Sequence, residues 1–285
     1  MSFEILNVTK TFGKKTVLNN LSLTINENNI CAIVGTNGVG KSTLIKSILG
    51  LIKRDTGTIT FNGEDIALLI NRGKVGYLPE ALGFSKNVTL RNYLKDMAVI
   101  KGIDKSHIDE RIDYLLELFH LKDRENDNVS TFSKGMKKMV GFMQSVLSTP
   151  ELLILDEPTD GLDPISRRIM LNYIKKISQE GCTVIITSHI LADLELITDK
   201  VVVLNRGRII NEINREKFQQ KQIQITITYK DGREDLVKAD YTDENILLEC
   251  CDSDILKNME IRLKSSSLED LFLDSLRSGS EVEHE

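Results

Sequence analysis

Apolar and polar residues alternate over Phe3–Val8 and again over Thr16–Ile25, which predicts two half-buried strands at the start of the chain. Ile30–Val34 is apolar throughout, runs into a glycine-rich turn and is followed by a helical pattern from about Lys41. Further short strands are expected over residues 57–62 and 74–78. From Val88 to Leu147 the spacing turns helical, and Ile108, Ile112, Leu115, Leu116 and Phe119 mark one buried face that reads as core. Strand–helix alternation then returns, with strands at Leu152–Leu155, Thr183–Thr187, Lys200–Leu204 and Arg208–Ile213 and helices over 164–179 and 190–197. Such units predict an α/β fold with a mainly parallel sheet, helices on both faces and ligands at the carboxyl ends of the strands. The helical middle, about residues 86–148, is then an inserted subdomain of a domain spanning residues 1–213.

Beyond about Asn214 the pattern changes. Gln222–Tyr229 alternates like an exposed strand, Asp231-Gly232 is a hairpin signal, and Leu236–Val237 and Ile246–Leu248 are candidate partners. Leu268, Leu271, Phe272 and Leu276 outline a short amphipathic helix. Residues 214–277 are therefore expected to form a small α+β accessory domain, and residues 278–285 a disordered tail.

Composition narrows the class. Of 285 residues, 41% are hydrophobic and 28% charged, and the formal net charge of -5 argues against a chain built to grip nucleic acid. No stretch approaches the roughly 18 to 20 apolar residues of a membrane-spanning helix, and Met1-Ser2-Phe3-Glu4 lacks the features of a signal peptide. A cytosolic protein is the expectation. Cys31, Cys182, Cys250 and Cys251 have no metal-binding spacing and read as plain thiols.

The chemistry begins at Gly35-Thr36-Asn37-Gly38-Val39-Gly40-Lys41-Ser42, which fits G-x-x-x-x-G-K-[ST] between a buried strand and a helix. Glycines let successive backbone N–H groups converge on phosphate oxygens, and the helix N-terminus adds partial positive charge. Lys41 supplies a full charge to the β- and γ-phosphates, the Ser42 hydroxyl a Mg2+ ligand, and Thr43 a further phosphate contact. Leu152-Leu153-Ile154-Leu155-Asp156-Glu157 is an apolar strand ending in two carboxylates. Asp156 is placed to hold Mg2+, directly or through water, and Glu157 to polarise an attacking water.

Three more segments bear on the choice among nucleotide-binding families. Glu157-Pro158-Thr159-Asp160-Gly161-Leu162-Asp163-Pro164 resembles the D-loop of ATP-binding-cassette (ABC) ATPases. Ser188-His189 resembles their switch histidine, and Phe132-Ser133-Lys134-Gly135-Met136 their signature motif. The order and spacing cover residues 1 to about 213. The resemblance implies a P-loop NTPase, with a RecA-like core, an antiparallel β-subdomain and the helical signature subdomain. It also implies a head-to-tail dimer, in which Ser133 and Gly135 serve the nucleotide of the partner, and it makes Asp163 a further nucleotide-binding residue. His189 would contact the γ-phosphate and the attacking water, and Phe12 of Thr11-Phe12-Gly13 would stack on adenine.

Two departures refine the resemblance. Most family members read Leu-Ser-Gly-Gly-Gln where this chain reads Phe132-Ser133-Lys134-Gly135-Met136, and Val75-Gly76-Tyr77-Leu78-Pro79-Glu80 carries Glu80 in place of a metal-reaching glutamine. Both departures, and the ending Ser267-Leu268-Glu269-Asp270-Leu271-Phe272-Leu273, resemble the cassettes of ABC-2-type exporters. That subfamily implies a separate integral-membrane permease, a second copy or homologous ATPase as partner, ATP and Mg2+ as ligands, and a place on the cytoplasmic side of the membrane. Leu82, Phe84 and Val88 are expected to line the groove where such a permease docks. The alternatives are a soluble ABC ATPase acting on DNA or ribosomes, an importer subunit, or a C-terminal segment that senses a ligand.

Overall fold

The computed structural model describes residues 2–219, 221–229, 233–240, 256–265 and 267–281. The chain divides into two compact units, residues 1–212 and 213–285.

The first unit is built on two sheets. An antiparallel sheet has the order β2-β1-β4-β5, formed by β1 (Ser2–Phe12), β2 (Lys15–Asn26), β4 (Thr56–Phe61) and β5 (Glu64–Asp65). β1 meets β2 with Phe3 opposite Ile25 and Ile5 opposite Leu23, and bulges interrupt the ladder beyond Ile5. The second sheet has six strands in the order β10-β9-β3-β8-β7-β6. These are β3 (Ile30–Val34), β6 (Val75–Leu78), β7 (Leu152–Asp156), β8 (Thr183–Thr187), β9 (Lys200–Asn205) and β10 (Arg208–Asn214). Adjacent strands from β9 to β6 are parallel. β3, β7 and β8 are buried at every position, which explains their unbroken apolar runs. One core joins the sheets: Phe3, Ile5, Leu23 and Ile25 pack with Ile33, Ile154, Ile185 and Val202, and with Leu44 and Ile48 of α1 (Lys41–Ile48).

The register of the parallel sheet decides where chemistry can occur. Ile33 and Asp156 both lie beside Thr187, and Leu78 lies beside Leu155. Four strands therefore end level, and the chain leaves them at Gly35, Pro79, Glu157 and Ser188.

Between β6 and β7 lie α3 (Leu90–Ile100), α4 (Lys105–Leu118) and α5 (Lys134–Val146). Thr89, Asp104 and Ser133 cap their N-termini by accepting backbone N–H groups. Phe119 and Phe142 meet Tyr173 of α6 (Pro164–Gln179) edge to face, with centroids 6.2 and 6.0 Å away, and each other at 5.6 Å, so the helical insertion is keyed into the sheet layer by aromatic packing. Arg91 pairs with Asp109, Asp113 and Glu125 and draws α3, α4 and the turn after α4 together. α2 (Ile66–Asn71) and α7 (Leu191–Ile197) complete the unit, and α2 and β5 are elements the sequence pattern did not announce.

The second unit contains α8 (Arg215–Gln219) and a three-stranded antiparallel sheet in the order β12-β11-β13, from β11 (Lys221–Tyr229), β12 (Glu234–Asp240) and β13 (Leu256–Ser265). The register sets Ile225 opposite Val237 on one side and Ile261 on the other. The expected partner Ile246–Leu248 and the Asp231-Gly232 turn lie outside the described residues. α9 (Leu268–Glu281) opens with Ser267 and Asp270 bonded to each other and runs past Ser278, where a disordered tail was expected to begin.

Candidate active site

The glycine-rich turn has the backbone that its sequence demands. Gly38 and Gly40 lie at φ +79° and +116°, a region that penalises side chains, and Gly40 starts α1 without any side-chain cap. A Cβ at Gly35 would stand 2.3 Å from the Leu204 carbonyl oxygen. The loop is thus pressed against the sheet, and the first amides of α1 are left for a ligand. Lys41 Nζ spans the loop and donates to the carbonyl oxygens of Gly35 at 2.6 Å and Thr36 at 3.3 Å.

Across from the loop, Asp156 is buried and accepts from Thr187 Oγ1 at 2.6 Å, which aims its other oxygen and keeps a buried carboxylate partnered. Glu157 has φ +49°, a left-handed conformation seldom adopted by a residue of its kind. Its amide donates to the Thr187 carbonyl oxygen at 3.1 Å, which holds the turn. Its Oε2 accepts from the main-chain N–H of His189 at 3.2 Å and lies 2.7 Å from His189 Nδ1. Oε2 is therefore committed, and Oε1 is the oxygen left for a water.

These groups surround one cavity of about 600 Å³ lined by Val17, Asn37, Gly38, Gly40, Lys41, Ser42, Thr43, Glu80, Asp156, Glu157, Asp160 and His189. Tyr77 stands behind it, its phenol pushed above the usual value by burial and by the carboxylates of Asp156 and Glu80. Gly35 is the floor of the loop rather than part of the lining. Phe12 also lies outside the lining, half exposed at the end of β1 with Lys10 Nζ 5.3 Å from its ring centroid. Ser133, Gly135 and Asp163 do not line the cavity either. Ser133 caps α5, accepting from Met136 N at 3.2 Å, and Asp163 caps α6, accepting from Ile165 N and Ser166 N at 3.0 Å. Both are exposed. Leu82 and Phe84 are half-buried: Leu82 closes over Gly141 of α5, and Phe84 meets Tyr93 edge to face. Val88 is likewise half-buried, and its carbonyl oxygen accepts from Val129 N.

Sequence reasoning overlooked Thr187, the buried partner of Asp156, and Asp160 as a cavity residue. Thr187 was legible only as a strand position, since what matters is its lateral register against Asp156.

The donor set suits a hard cation: a serine hydroxyl at Ser42 and carboxylates at Asp156 and Glu80. Among the described residues, no group of three or more His, Cys, Asp or Glu forms a self-sufficient metal site.

Residues 18–160 match the family described as ABC transporter. The chain belongs to the ABC transporter ATP-binding family. The ABC transporter ATP-binding protein MJ1023 of Methanocaldococcus jannaschii is 33% identical over 273 residues, covering 95% of this chain and 98% of that protein. The bacitracin transport ATP-binding protein BcrA of Bacillus licheniformis is 37% identical over 220 residues, covering 75% of this chain and 70% of that protein. A solved ATP-binding subunit of an ABC transporter superposes with a TM-score of 0.72 at 30% identity, over 77% of this chain and 92% of that one. Like its family, this cassette is an ATPase that binds ATP. Among the described residues, no helix of the cassette is long and apolar enough to cross a membrane.

Proposed function

We propose that the cassette hydrolyses ATP as a head-to-tail dimer and that this drives export through a separate integral-membrane permease. The observation that supports the reading best is the single cavity in which the phosphate loop meets Asp156, Glu157 and His189 from adjacent, level strand ends.

In this reading Lys41 leaves the loop carbonyls for the β- and γ-phosphates, and the loop amides and the N-terminus of α1 take the remaining oxygens. Ser42 and Asp156 hold Mg2+, with Glu80 reaching in from β6. Bound there, Mg2+ neutralises charge on the transferring phosphoryl group. Glu157 Oε1 accepts a hydrogen bond from the attacking water, and His189 fixes the carboxylate through Oε2 and presents its exposed ring edge to the γ-phosphate. Water oxygen bonds to the γ-phosphorus as the bond to the β,γ-bridging oxygen breaks, so ADP leaves and the water proton passes to Glu157 or to the phosphate. Ser133, exposed at the tip of α5, Gly135, half-buried beside it, and Asp163, at the start of α6, meet the nucleotide of the partner subunit. Phe12 lies against adenine from the end of β1.

Export is supported by Glu80 and the Ser-Lys-Gly-Met signature, and by a relative named for bacitracin transport. The cargo class we infer is an amphipathic peptide or drug, carried by a permease that places the cassette at the cytoplasmic face of the membrane. To test this, Glu157→Gln is tagged, trapped with ATP in its native cells and recovered in mild detergent. A polytopic membrane protein should co-purify, whereas recovery with ribosomes, DNA or soluble proteins would overturn the transporter reading.

A further inference from the structure

One face of α5 is unusual in being polar, and it is buried from Lys138 onward. Lys134, Lys138, Gly141 and Ser145 follow one another at helical spacing and all meet the sheet side of the unit. Lys138 is 2% exposed, and its Nζ donates to the main-chain oxygen of Glu80 at 2.8 Å. One turn earlier, Lys134 Nζ binds Asp160 Oδ2 at 2.7 Å. Its aliphatic stem lies over Gly161, whose φ is +76° and where a Cβ would stand 3.2 Å from Lys134 Cδ. A Cβ at Gly135 would come 2.8 Å from the Gly161 carbonyl oxygen, so the two backbones are in close approach. Further down the stripe, Leu78 and Leu82 fill the space over Gly141, and Gly76 sits against the Ser145 carbonyl oxygen. α5 thus grips two segments: residues 76–82, which carry Glu80, and residues 157–163, which carry Glu157 and Asp160.

Glu80 and Asp160 both line the nucleotide cavity. We propose that Lys134 and Lys138 form a clamp that links nucleotide occupancy of the subunit's own cavity to the Ser133–Gly135 tip of α5. The inference rests on the reading of that tip as the contact to the partner's nucleotide. Physically, an anionic phosphate entering beside Asp160 weakens that carboxylate's hold on Lys134, and any shift of Glu80 toward a cation drags its main chain and, through Lys138, the second turn of α5. Lys134 and Lys138 act through Asp160 and Glu80, so they are positioning residues.

Hydrogen exchange on the full chain tests the clamp. Ser133→Ala removes the hydroxyl read as the partner contact, so in that background a response of α5 reports the subunit's own nucleotide. Mg-ATP should change exchange across residues 134–141 by about tenfold, the scale of one charge-assisted hydrogen bond gained or lost. Adding Lys134→Gln and Lys138→Met should abolish that change while ATP affinity stays within about twofold, and Lys138→Arg, which keeps a cationic donor, should preserve it. With Ser133 intact, Lys138→Met should lower kcat far more than it raises KM, and should add nothing to the loss caused by Glu80→Ala. An α5 that ignores ATP, or responds equally without the two lysines, overturns the clamp. Unmodified protein that responds at α5 but never dimerises with ATP overturns the reading of Ser133 and Gly135 and leaves the clamp standing.

Discussion

The cavity wall and the tip of α5 are built to opposite rules. On the wall the central groups are fixed from within the subunit: Lys41 by two loop carbonyls, Asp156 by the Thr187 hydroxyl, Glu157 by a left-handed turn and the amide of His189. At the tip, Ser133 and Lys134 stand exposed, with the Ser133 hydroxyl spent on capping its own helix. The wall is a finished half-site. The tip is a helix N-terminus whose partial positive charge favours an anion from outside the chain. The difference is what a shared site demands, since a tip that folded onto its own cavity would close the site within one subunit.

The sharpest way to break this comparison is at the wall. Glu157→Gln should bind ATP yet hydrolyse it at least a hundredfold more slowly, the range for a lost general base, as read by steady-state phosphate release. Unchanged turnover would assign that role to another residue. Next in size, Lys41→Ala should weaken ATP binding itself by about ten- to a hundredfold, in keeping with the 1.5–3 kcal/mol of a hydrogen bond to a charged group, measurable by titration with a fluorescent nucleotide. At the tip the balance reverses. Ser133→Ala should lose only about 0.5–2 kcal/mol of stability as a cap and leave single-subunit ATP affinity unchanged, while removing ATP-driven dimerisation in light scattering.

Smaller effects sharpen the contrast between fixed and exposed groups. Cys31 and Cys182 are buried, and burial pushes both thiols up to about 12, so neither should react with a thiol reagent at neutral pH until the chain unfolds. In the helical insertion, hydrogen bonds from Lys122 and Arg91 hold Asp113 below the usual carboxylate value, Arg91 and Lys122 do the same for Glu125, and Lys95 and then Arg91 for Asp109. Folded values below unfolded ones mean stability that is present above the ordinary carboxylate range and lost as pH falls through the depressed values. An acid titration followed by circular dichroism should therefore show midpoint loss below about pH 4, and Arg91→Gln should shift that loss to higher pH.

Much of this was legible in the sequence, for physical reasons. β3, β7 and β8 are buried on both faces, so their apolar runs stand out, and the phosphate loop announces itself because glycine and lysine are needed at fixed places. What stayed hidden depends on lateral neighbours. Nothing local marks Thr187 as the partner of Asp156, or Glu157 as left-handed. The buried stripe of α5 was invisible because its members are lysine, glycine and serine, which a search for apolar periodicity discards. In the second unit the alternation of Met259, Ile261 and Leu263 was available, but which strand pairs with β11 is a long-range choice that spacing alone does not make.

The shared site is tested most directly by mixing two inactive variants, Lys41→Ala and Ser133→Ala, and measuring ATP hydrolysis. A head-to-tail heterodimer gathers both defects in one site and leaves the other with an intact loop and an intact tip. A shared site requires turnover in the mixture that neither variant shows alone. A mixture as inactive as its components would contradict it.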